Sequence, residues 1–85
     1  MITIEKLKIY QEYNGDGDRY VRMRDHKHFI SDNEWSLIDN LLQDLVLVKG
    51  GHASAEYILK TEKQLKENFD SIEAVNFLRS MVFNK

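Results

Sequence analysis

The run Ser31-Asp32-Asn33-Glu34-Trp35 commits the middle of this chain to a helix start. A serine followed three residues later by glutamate is a capping box. The Ser31 hydroxyl accepts from the Glu34 amide, and the Glu34 carboxylate reaches back to the Ser31 amide. Ile30 and Trp35 stand where a hydrophobic staple would close. Asp32 and Glu34 place negative charge at the positive end of the helix dipole. The pattern predicts a helix from the cap to about Lys49, with Gly50 as its left-handed terminator. Its apolar positions are Trp35, Leu37, Ile38, Leu41, Leu42, Leu45, Val46, Leu47 and Val48. That set is wider than one amphipathic stripe, so the helix is expected to be central and covered on more than one side.

Two more helices are expected downstream. Ser54 can cap a helix over 55–68, with Ala55, Ile58, Leu65 and Phe69 on its apolar stripe and Glu56–Lys60 and Glu62–Lys66 as i,i+4 pairs. Asp70 with Glu73 reads as a second capping box, Phe69 stapling against Ala74, ahead of a helix over about 71–82. The first block admits two readings. Residues 4–13 are good helix formers ending at Asn14-Gly15, a C-cap signal. As strands, Leu7, Ile9 and Tyr13 alternate with polar residues, as do Val21 and Met23, around a hairpin loop at 14–18. The helix is favoured, because a lone hairpin on three helices must manage two open edges. The expected fold is therefore mainly α, a compact bundle of about four helices in one domain over 1–85. An α+β fold with an N-terminal β-hairpin packed on three helices is the alternative. Its core is expected to hold Leu7, Trp35, Ile38, Leu42, Leu45, Ile58, Leu65, Phe69, Val75, Leu78 and Val82.

Composition narrows the function classes. With no cysteine there is neither a disulfide framework nor a cysteine-bearing zinc site, and the cytoplasm is the expected compartment. The longest apolar run, Leu45-Val46-Leu47-Val48, falls far short of the about 20 residues of a membrane span. The first residues lack the pattern of a signal peptide. A chain of 85 residues buries about 60–65% of its unfolded surface, so a partner subunit completing the core, as in a homodimer, is an open expectation.

Three constellations could carry chemistry. Asn14, Asp16, Asp18 and Asp25 fall at positions one, three, five and twelve of a calcium-type loop spanning 14–25. Against it, Arg19 occupies the position of the turn glycine, and Asp25 is shorter than the usual bidentate glutamate. His26 and His28, with His52 or a carboxylate, outline a metal-assisted hydrolase, but Lys27 between them opposes a cation. Arg19, Arg22, Arg24 and Lys27, with Tyr20 and Phe29, resemble a strand-binding patch, but Asp18 and Asp25 dilute it, and pairing of this basic loop with the acidic helix that follows is the simpler expectation. Nucleic acid is therefore not the expected partner. The serines fall largely at helix caps, and no nucleophile motif, phosphate loop or dinucleotide fingerprint occurs. No enzyme activity, small-molecule substrate or cofactor is expected.

The charge distribution supplies the remaining candidate. The formal charge is only -2, but residues 29–48 hold Asp32, Glu34, Asp39 and Asp44 and no Lys or Arg. Asp32, Asp39, Asn40, Gln43 and Asp44 form an acidic helix face able to steer a basic partner. The expected function is a small non-catalytic protein-interaction module, an inhibitor of a basic partner by the logic of immunity proteins and antitoxins. That comparison is one of function and not of sequence. A calcium-type binding protein using the 14–25 loop and a metal-assisted hydrolase are the alternatives.

Overall fold

The computed structural model describes residues 1–13 and 30–83, and within them the protein is a mainly α bundle. Its helices are α1 (Ile4–Tyr13), α2 (Asp32–Lys49), α3 (Ala55–Asn68) and α4 (Ile72–Phe83). The helical reading of 4–13 holds, which excludes the first strand of the hairpin alternative. The Asn14-Gly15 cap and the rest of the hairpin lie outside the described residues.

Local chemistry explains each start. The α2 capping box is complete: the Glu34 amide donates to Ser31 Oγ, and the Ser31 amide donates to Glu34 Oε1, each at 3.1 Å. Ile30 and Trp35 are both buried in the core, as a staple requires. Ser54 caps α3 by accepting from the Tyr57 amide. Thr3, which the sequence reading passed over, caps α1 by accepting from the Lys6 amide at 3.2 Å.

Two boundaries differ from expectation. At α4 the cap is Ser71, whose hydroxyl accepts from the Ala74 amide, and not Asp70 with Glu73. The reason is long-range. The Ile2 amide donates to the Asn68 carbonyl at 2.8 Å, and the Asp70 amide donates to the Ile2 carbonyl at 3.1 Å. This parallel bridge between Ile2 and Phe69 engages the Asp70 amide, and the helix begins after the next residue. At the end of α2, Gly50 keeps right-handed helical angles and Gly51 takes the left-handed turn, with φ +75°. The amides of Gly51 and His52 donate to the carbonyls of Val48 and Leu47, a Schellman motif one residue later than expected.

α2 is central, with α4 packed against it and against α1, and α3 packed on α2 as well. Lys6 of α1 meets Glu34 and Tyr10 meets Asp39, so α1 runs beside α2 in the same sense. The core is one cluster from every helix, including Leu7, Trp35, Ile38, Leu45, Leu65 and Leu78. The Tyr10 and Trp35 rings sit 4.7 Å apart at a tilted angle, within the usual range for aromatic pairs. Two expected core residues are not fully buried. Leu42 is partly buried at the edge of the cluster, where neighbouring Leu41 is buried instead, and Ile58 is 38% exposed. Ile2, Tyr10, Ile30 and Ala74 complete the core.

Candidate protein-interaction surface

Ser36, Asn40, Gln43 and Leu47 recur at helical spacing along one face of α2, and all four are exposed. Asp32 is exposed in the first turn of the same helix. Asp39 and Asp44 border this face on opposite sides. Each accepts a hydrogen bond from a tyrosine hydroxyl, Asp39 from Tyr10 of α1 and Asp44 from Tyr57 of α3. The five residues expected from sequence thus sit on one helix, but in two states. Asp32, Asn40 and Gln43 face solvent, while Asp39 and Asp44 are half-buried and held by flanking helices.

A phenol hydrogen bond orients a carboxylate without neutralising it. At Tyr57 the bond to Asp44, then partial desolvation, then the Asp44 charge raise the phenol above its ordinary value of 10.0. The proton therefore stays on the Tyr57 hydroxyl at neutral pH. An ionised carboxylate offers about four lone-pair sites. At Asp44 the Tyr57 hydroxyl occupies one such site and leaves others for an incoming donor.

Apolar groups adjoin the carboxylates. Val46 is 56% and Leu47 42% exposed. A hollow of about 550 Å³ is lined by Tyr10, Asp39, Leu42, Gln43, Val46 and Leu47. A second, of about 230 Å³, lies between Leu47, His52, Ala53, Ser54 and Tyr57. Leu47 lines both, so a carboxylate-bearing hollow lies on one side of it and the Tyr57 side of Asp44 on the other. Sequence reasoning found the acidic positions but missed Tyr10 and Tyr57. The signal for Tyr10 was its i,i+3 spacing from Leu7, which places both on one helical face.

The other candidate sites fare differently. Asn14, Asp16, Asp18 and Asp25, the basic run from Arg19 to Lys27, and His26 and His28 all lie outside the described residues. Among the described residues no group of three or more His, Asp or Glu is placed to hold a metal ion. Ser31, Ser54 and Ser71 accept from backbone amides as helix caps, and Ser80 donates to the Phe77 carbonyl. No described helix is long and apolar enough to cross a membrane. Comparison with protein-family models, curated proteins and solved structures finds no match for this chain.

Proposed function

We propose that this chain is a small non-catalytic protein-interaction module whose acidic α2 face docks a basic protein, as an inhibitor of the immunity or antitoxin kind would. The observation that carries the reading is the pair of carboxylates, Asp39 and Asp44, fixed by Tyr10 and Tyr57 on either side of an exposed helical face. Ordering a side chain at an interface costs about 0.5–1.5 kcal/mol. Carboxylates already oriented by their own protein avoid much of that cost. Residues 29–48 hold four carboxylates and no Lys or Arg, a local excess of negative charge in the sequence that favours encounter with a cationic surface. Val46 and Leu47 supply apolar contact where charge alone would give little, since exposed ion pairs contribute only about 0–1 kcal/mol each. The absence of cysteine fits a cytoplasmic setting.

The test avoids Asp39 and Asp44, because reversing either would also strand a tyrosine hydroxyl and disturb packing. Asn40→Lys with Gln43→Lys offsets about half of the negative charge of 29–48 from two exposed positions. Affinity capture with the wild-type chain should recover basic proteins, with association slowing as salt rises. The double variant should recover them at least about tenfold less. Equal recovery by both chains would sink the reading.

A further inference from the structure

We draw no further inference here: the strongest candidate, the apolar groove between α3 and α4 floored by Leu65, Phe69 and Val75, is spanned by its own Arg79–Glu62 ion pair and, with Lys63 paired to Glu67, leaves only Lys66 against Asp70, so nothing in the structure shows what covers it.

Discussion

Glu34 serves two helices with its two carboxylate oxygens. One accepts from the Ser31 amide to cap α2, and the other accepts from the Lys6 ammonium of α1 at 2.6 Å. Loss of solvent pushes its pKa up, but the Lys6 hydrogen bond, the Ser31 amide, the Lys6 charge and the Ser31 hydroxyl together leave it below the ordinary 4.5. A folded-state pKa below the unfolded one means the unfolded chain binds the proton more readily. The stabilisation is thus present above pH 4.5 and is lost as pH falls through the folded value. Urea unfolding followed by Trp35 fluorescence should show the wild-type chain losing stability between about pH 6 and pH 3, and Glu34→Gln losing less over the same range. At neutral pH the same substitution should cost about 1 kcal/mol at most, because the pair is partly solvated and Gln can still accept from the Ser31 amide. An identical acid loss in both chains would mean that another carboxylate governs it.

At the scale of elements, the starts and stops of helices were legible because caps are local chemistry. Ser31 with Glu34, and Ser54, announced α2 and α3 without any knowledge of the fold. Where two candidates stood side by side, locality was not enough. Asp70 and Ser71 are both good caps, and the distant Ile2 carbonyl decided between them by engaging the Asp70 amide. Gly50 and Gly51 are equally permissive, and the choice between them shifts the stop by one residue. That choice has a measurable consequence. Gly51→Ala should cost about 1–2 kcal/mol, since its φ of +75° is disfavoured for any residue with a Cβ. Gly50→Ala should be close to neutral. An added Cβ would come 2.9 Å from His52 Cδ2, but that side chain is exposed and can turn aside, and Ala suits right-handed angles better than Gly by about 0.5–1 kcal/mol. Urea midpoints of the two variants check this. Equal losses would place the left-handed turn elsewhere.

Over the whole molecule, the sequence pattern named the helices but not which part of each apolar face is covered. Leu41 and Leu42 are adjacent and about 100° apart around α2, so periodicity cannot choose between them. The docking of α1, α3 and α4 buries Leu41 fully and leaves Leu42 partly covered. The candidate surface was legible only in part for the same reason. The acidic positions could be read along one helix, but their tyrosine partners come from 29 residues earlier and 13 later in the chain. A further long-range contact belongs to Ile2, which is 1% exposed and bridges to Phe69. With no cysteine to tie the chain, this contact fastens the segment before α1 to the turn between α3 and α4. Ile2→Ala should therefore cost about 2–4 kcal/mol, a large share of the roughly 4–13 kcal/mol expected for a chain of 85 residues. A generic core defect would cost the same, so the decisive measurement is a double-mutant cycle with Phe69→Leu. If the Ile2 and Phe69 side chains hold the turn together, the two losses should fail to add by more than about 0.5 kcal/mol. Additive losses would show that the Ile2 side chain fills space without coupling to Phe69, leaving the backbone bonds of Ile2 as the tie to the α3–α4 turn.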